Sequence, residues 1–297
     1  MNWLSITIIA YALNSIAIVI DKFLLSKKIS NPAVYTFFIA TLSLIALVLI
    51  PFGFHFYSII QILIAIIAGI FFTFALLYMF KAISGNEASR VTPFMGGLQP
   101  IFIFILALVF LGENLNTQSL LAFATIISGT IVISWQKNSK SKQKKAYLYA
   151  TISTILFAIS YTITKYVFIQ QDFISGFVWT RVGSFIGAMV LLIIAKNRHD
   201  IKHELKNPEK KTSSLFLVGQ SAGALSFVLV NYAISISESV ALVNALRGLE
   251  YVFLLVIVFS LSWKFPHLLE EKITPTAVAK KIVATALIIA GLFILFI

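Results

Sequence analysis

The chain has 297 residues, 59% hydrophobic and 11% charged, and its 23 Lys and Arg against 11 Asp and Glu leave a formal net charge of +12. With a mean hydropathy of +0.96 it carries more apolar side chain than a soluble core of this length hides, so composition excludes a soluble globular domain and implies a membrane protein. The lack of cysteine removes disulfides, thiolate metal sites and cysteine nucleophiles, and the basic balance reads as lysines in the loops of an inner-membrane protein with no nucleic-acid partner.

About twenty apolar residues at a rise of about 1.5 Å cross a hydrocarbon core of about 30 Å. Ten runs meet that requirement: 3–20, 33–50, 59–80, 88–111, 119–135, 147–168, 173–195, 214–234, 239–261 and 277–296. The first is expected to remain as a span, because no basic region precedes it and Asp21-Lys22 follows it where a cleaved leader would have small residues. Turn and charge chemistry separates the runs: Asn31-Pro32, Pro51-Phe52-Gly53, Gly85-Asn86, Gly112-Glu113-Asn114, the basic run 137–145, and a polar stretch 196–212 containing Pro208.

The stretch 82–102, which runs into the fourth span, returns at 233–253. Ala82, Ile83, Ser84, Glu87, Gly97, Leu98 and Phe102 fall on Ala233, Ile234, Ser235, Glu238, Gly248, Leu249 and Phe253, while Gln99 falls on Glu250. Lys22-Phe23 recurs as Lys165-Tyr166, Val34-Tyr35-Thr36 as Val178-Trp179-Thr180, and Glu113 as Glu271. The expected organisation is therefore a first five-helix repeat over 1–136, a basic linker over 137–146 and a second five-helix repeat over 147–297. An odd number of spans returns the chain to the opposite side, so the second copy enters the membrane upside down. The fold class expected is all-α integral membrane, ten transmembrane helices as two inverted five-helix repeats. Such pairs recur in secondary transporters, with solute held between the halves near the midplane.

Lys and Arg crowd one side: Lys22, Lys27 and Lys28 after the first span, Lys81 and Arg90 near the 3–4 turn, the run 137–145, the stretch 196–211, and Lys264, Lys272, Lys280 and Lys281 near the last span, against Lys165 opposite. The positive-inside rule then places both termini outside a cytoplasmic membrane.

Charges inside spans cost about 2.5–3.5 kcal/mol each on insertion scales and are expected to face protein or a cavity. Arg181 lies two turns into the seventh span, Arg247 two turns into the ninth, and Glu250 one turn beyond it. Arg247 and Glu250 at i,i+3 share a helix face; the pair either lines a solute cavity or neutralises itself while holding the ninth helix to a neighbour. Pro93, Gly96-Gly97 and Pro100 are expected to interrupt the fourth helix beside Gln99. The ninth lacks those prolines and carries Asn244, Arg247 and Tyr251 as a polar stripe. The eighth places Gln220 and Asn231 on one face, the sixth Thr154, Tyr161 and Lys165; side chains of this kind serve as interhelical glue as readily as solute ligands. Asn14 on the first span is a weaker candidate, and Asp21 and Lys22 sit at the interface. Glu87, Glu113, Glu238 and Glu271 fall at helix ends and read as structural.

The histidines, His55, His199, His203 and His267, lie in loops without an HExxH pattern, so no metal is expected. With no P-loop and no convergent nucleophile and base, neither enzyme activity nor a cofactor is expected; gradients supply the work, at about 2.3 kcal/mol per charge crossing 100 mV.

Ten helices in two five-helix copies, GGLQP in the fourth, the Gly112-Glu113 ending, the segment GENLNTQSLLAFATIISGTIVI and the late glycines Gly129 and Gly291 together resemble the drug/metabolite transporter superfamily, EamA type, over nearly the whole chain. The second copy departs in having Tyr251 opposite Pro100. The resemblance implies alternating-access transport, often export, through a cavity lined by helices 1, 3, 4, 6, 8 and 9. On that rule Asn14, Gln99, Gln220, Asn231, Asn244, Arg247, Glu250 and Tyr251 are solute-binding candidates, and Arg181 on helix 7 joins them only with a separate justification. The function expected is secondary active transport of amino acids or other charged and zwitterionic metabolites, with a possible coupling proton at Glu250. A lipid-carrier flippase of the same fold and a non-transporting membrane scaffold are the alternatives. Oligomeric state is left open.

Overall fold

The computed structural model describes residues 2–27, 31–84, 88–134, 141–206, 210–250, 252–254, 256–257 and 275–296. These residues are helical, with no strand among them: α1 (Trp3–Lys27), α2 (Pro32–Leu42) passing into a 3-10 segment (Ser43–Phe52), α3 (Ile59–Ile83), α4 (Ala88–Leu111), α5 (Thr117–Ser134), α6 (Ser141–Gln170), α7 (Phe173–Leu191), α8 (Ala195–Lys206), α9 (Lys210–Ile236), α10 (Val240–Ala245) and α11 (Pro275–Phe296). Among the described residues seven segments are long and apolar enough to cross a membrane, and 117–132 and 282–294 form shorter apolar helices. Large apolar side chains such as Phe52, Phe56, Val109, Phe110 and Phe293 stand exposed on the outside, as lipid in place of water requires. The chain is a multi-pass membrane protein.

Local chemistry starts the helices. Asn31 caps α2 through its side-chain oxygen, which accepts from the Ala33 N–H, with Pro32 in the first turn where its missing donor costs nothing. Ser58 and Gln61 form a reciprocal capping box at α3. Asp172 accepts from the Ser175 N–H to open α7, and Ser239 accepts from Leu242 to open α10.

Small residues set the helix contacts. Helix α3 packs on α6 and α7, α1 on α9, α4 on α6 and α10, and α5 on α11. A Cβ on Gly183 would meet the backbone of Ile66, and one on Gly69 the backbone of Thr180 and Ser184, so α3 and α7 approach main chain to main chain. Hydroxyls then bond across: Thr73 to the Ser184 carbonyl at 2.9 Å, Ser153 and Ser160 of α6 to Ala75 and Ala68 of α3, and Ser226 of α9 to Ala10 of α1.

Three expectations are corrected. Helix α4 runs without interruption from Ala88 to Leu111; Pro100 and the glycines are accommodated inside it. The break lies in the segment expected as the ninth span, where α10 stops at Ala245 and the chain turns at Leu246-Arg247. There Arg247, Leu249 and Glu250 donate three residues back, to Asn244, Leu246 and Arg247, at 3.1, 2.9 and 3.0 Å, the tighter winding of a locally distorted helix. Finally, the polar stretch after the seventh span is not all loop: α8 forms there and carries His199 and His203. Asp200 accepts from the Asn31 side chain at 2.6 Å, tying α8 to the start of α2.

Candidate functional site

The turn that follows α10 brings five of the expected residues together. It projects Arg247 and Glu250 toward α4 and α1, where Gln99 and Asn14 stand. Arg247 Nη1 donates to Gln99 Oε1 at 2.8 Å, and Gln99 Nε2 donates to Asn244 Oδ1 at 3.4 Å. Asn14 Nδ2 donates to Glu250 Oε2 at 2.6 Å, and the Arg247 Nε stands 3.6 Å from the same oxygen. Gln99 and Glu250 are fully buried and Asn244 is 1% exposed, whereas the Arg247 side chain keeps 17% exposure. Glu250 Oε1 is buried without a hydrogen-bond partner among the described residues. A buried carboxylate oxygen left open in this way is a position for a proton or a solute donor, because an unmet acceptor in a low dielectric is costly. Tyr11 of α1 closes the seam by donating to the Val243 carbonyl at 3.1 Å.

Rings floor this cluster. Phe157 lies 6.0 Å from the Arg247 guanidinium, stacks with Tyr161 and meets Phe72 edge-on at 5.5 Å. Phe72 continues to Phe227 at 4.8 Å.

The other candidates lie apart from the central five. Gln220 does not join the cluster: it donates to Asp21 Oδ1 at 3.0 Å and to the Tyr35 hydroxyl at 3.4 Å. Tyr35 in turn donates to Asp21 in a short hydrogen bond. Asp21 is therefore not a simple interface residue but the acceptor of a second polar knot joining α1, α2 and α9, which sequence spacing alone missed. Asn231 turns onto its own helix, donating to the Phe227 carbonyl at 2.9 Å. Arg181 sits among Phe72, Phe177 and Phe227, its guanidinium carbon 4.7, 5.5 and 4.3 Å from their ring centres. Tyr251 lies outside the described residues. Lys165 donates to the Ile234 and Ser237 carbonyls at the end of α9, a charged cap on a helix C-terminus. Glu113, expected at a helix end, accepts from the Val240 N–H at 3.0 Å and so helps start α10. No group of three or more His, Cys, Asp or Glu able to hold a metal occurs among the described residues.

The comparisons agree with this architecture. A solved crystal structure superposes with a TM-score of 0.66 at 14% identity, covering 98% of this chain and 97% of its own; identity that low speaks for the fold alone. A search of curated proteins finds no match. The family model described as "Sugar transport protein" matches residues 19–296, a range that includes nearly every helix and all of the central cluster except Asn14. On that match, the chain belongs to the sugar transport protein family of membrane transporters.

Proposed function

We propose that the chain is a secondary active transporter of the EamA-like kind, moving a small charged or zwitterionic solute, or a sugar, by alternating access between two inverted five-helix halves. The observation that carries this reading is the buried cluster of Asn14, Gln99, Asn244, Arg247 and Glu250 at the break in the ninth span. Discontinuous helices at membrane depth are where transporters of this architecture hold their solutes. Three amides, a cation and an anion offer donors and acceptors to a zwitterion such as an amino acid, and the amides suit the hydroxyls of a sugar equally well. Arg247 attracts an anionic group, and the open oxygen of Glu250 takes a coupling proton.

Support for the inverted repeat comes from the α5–α11 contact. A Cβ on Gly129 would meet Ala284 and Ile288, and one on Gly291 would meet Ala122 and Ile126, the same spacing reciprocated as a two-fold axis between the halves requires. The interhalf pairs α1 with α9 and α3 with α6 are likewise exchanged by that axis. The proposed halves are residues 1–136 and 147–297, with both termini outside a cytoplasmic membrane and export as the direction.

A lipid-carrier flippase is the second reading. It draws on an apolar cleft at the flank, lined by Phe38, Thr41, Leu42, Leu44, Ile45 and Phe216, whose single hydroxyl gives a headgroup little to bind. The test is counterflow and pH-driven uptake in liposomes with the protein purified. Wild type accumulates solute along a proton gradient, and Glu250→Gln exchanges solute but ignores the gradient. Gradient dependence retained in that variant takes Glu250 out of the coupling, and absence of any solute flux alongside lipid scrambling turns the reading to the flippase.

A further inference from the structure

Arg181 and Arg247 differ in what surrounds them. Arg247 is answered by Glu250 and Gln99, whereas Arg181, at 5% exposure, has no carboxylate within ion-pair distance among the described residues. Among the described residues its only side-chain hydrogen bond is a 3.5 Å contact from Nε to its neighbour Thr180 Oγ1. A guanidinium has five N–H donors. The faces of Phe72, Phe177 and Phe227 attract its charge, yet they accept no strong hydrogen bond, so most of the fork is unanswered by the described residues.

The site is built firmly. Backbone contact between Gly69 and Gly183 locks α7 to α3, Gly187 packs on Thr73, and Ser43 donates to the Arg181 carbonyl at 3.4 Å. The main chain at Arg181 is thereby fixed, and its side chain reaches rings contributed by α3, α7 and α9. This explains how a residue of the seventh span, expected to lie outside the cavity wall, enters the interior. The ring cluster then leads through Phe72 and Phe157 to Arg247, so the two arginines border one aromatic wall.

We infer that Arg181 is an oxyanion-binding group, which takes the carboxylate or phosphate oxygens of a small solute while the amides of the central cluster take its hydroxyls. An arginine fork matches two oxyanion oxygens at once. The solute class that uses both features is a polyhydroxy acid, a sugar bearing a carboxylate or a phosphate. The inference rests on the transporter reading for the passage of that solute; binding at Arg181 is tested separately.

The experiment measures binding of glucuronate, glucose 6-phosphate and glucose to protein in nanodiscs, by thermal shift and titration calorimetry. Wild type is expected to bind one or both acids at least tenfold more tightly than glucose. Arg181→Gln should weaken the acid by about tenfold to a hundredfold with little change for glucose, and Arg181→Lys should recover part of the loss. In wild type, where no folding question arises, the acid should slow phenylglyoxal modification of Arg181, read by peptide mass spectrometry, and glucose should not. Equal binding of acid and glucose, or an unprotected Arg181 in the presence of bound acid, overturns the inference. Acid binding without flux in liposomes leaves it standing and removes the transporter reading; flux of the acid unchanged in Arg181→Gln does the reverse.

Discussion

Asn14 and Glu250 lie 236 residues apart in the chain and meet through a 2.6 Å hydrogen bond from Asn14 Nδ2 to Glu250 Oε2. That bond ties α1 to the turn after α10 and leaves the second carboxylate oxygen of Glu250 without a partner among the described residues. Substituting Asn14 by Ala strips the only amide donor of that carboxylate among the described residues. Interhelical bonds in bilayers contribute about 0.6 kcal/mol on average and up to about 1.7, and a charged acceptor puts this one near the upper end. The expected coupling in an Asn14→Ala, Glu250→Gln cycle is about 1–2 kcal/mol, measured by reversible unfolding in bicelles. Additive effects would mean that the two side chains do not support one another.

Arg247 answers the same carboxylate at 3.6 Å. Removing one partner of a buried pair leaves the other charge uncompensated and costs about 3–5 kcal/mol, whereas replacing both with apolar groups is often neutral. Arg247→Leu is expected to lower the unfolding midpoint sharply, and Arg247→Leu with Glu250→Leu to recover most of it while abolishing flux. A double variant no more stable than the single one contradicts the pairing.

Glycines at the α3–α7 and α1–α9 interfaces allow a graded test with alanine. A Cβ on Gly183 would drive into Ile66 backbone, which cannot move aside, while one on Gly223 would rest at 3.4 Å from the Ala17 methyl. Gly183→Ala should destabilise by about 1–3 kcal/mol, and Gly223→Ala should lie within about 0.5 kcal/mol of wild type. Fluorescence-detected size exclusion after heating ranks the two.

Outside the spans, Asp172 joins the start of α7 to the loop before α3. Its carboxylate accepts from Ser175 and Tyr57 and faces His55 at 3.5 Å. Burial pushes its pKa up, but the hydrogen bonds from Ser175, Tyr57 and His55 together hold it below the ordinary carboxylate value. A depressed folded pKa contributes stability that is present above the unfolded value near 3.9 and is lost as pH falls through the folded one. Thermal unfolding followed between pH 6 and pH 3 should show a loss below about pH 4. Asp172→Asn should flatten that limb, at a cost of well under the ~1 kcal/mol expected for an uncapped alanine, since Asn still caps.

Composition and apolar run length by themselves determined that this is a multi-pass helical membrane protein. A backbone in lipid has to satisfy its own hydrogen bonds, so a run of about twenty apolar residues has few options besides a helix. Internal repetition also set Gln99 opposite Glu250, and charge at span depth marked Arg247, before any contact was known, because polar and charged residues stand out from an apolar background. Partner choice belongs to the tertiary structure. Asn14, the weakest candidate by sequence, holds Glu250, while Gln220 turns to Asp21 and Asn231 to its own helix. The break falls at Arg247, not beside Pro100, since a helix tolerates proline where its neighbours fill in and distorts where packing and side-chain bonds pull the chain aside. Periodicity assigns a residue to a face; which face meets which neighbour is settled by close contacts such as Gly69 with Ser184 and Gly291 with Ala122, and these depend on the whole bundle at once.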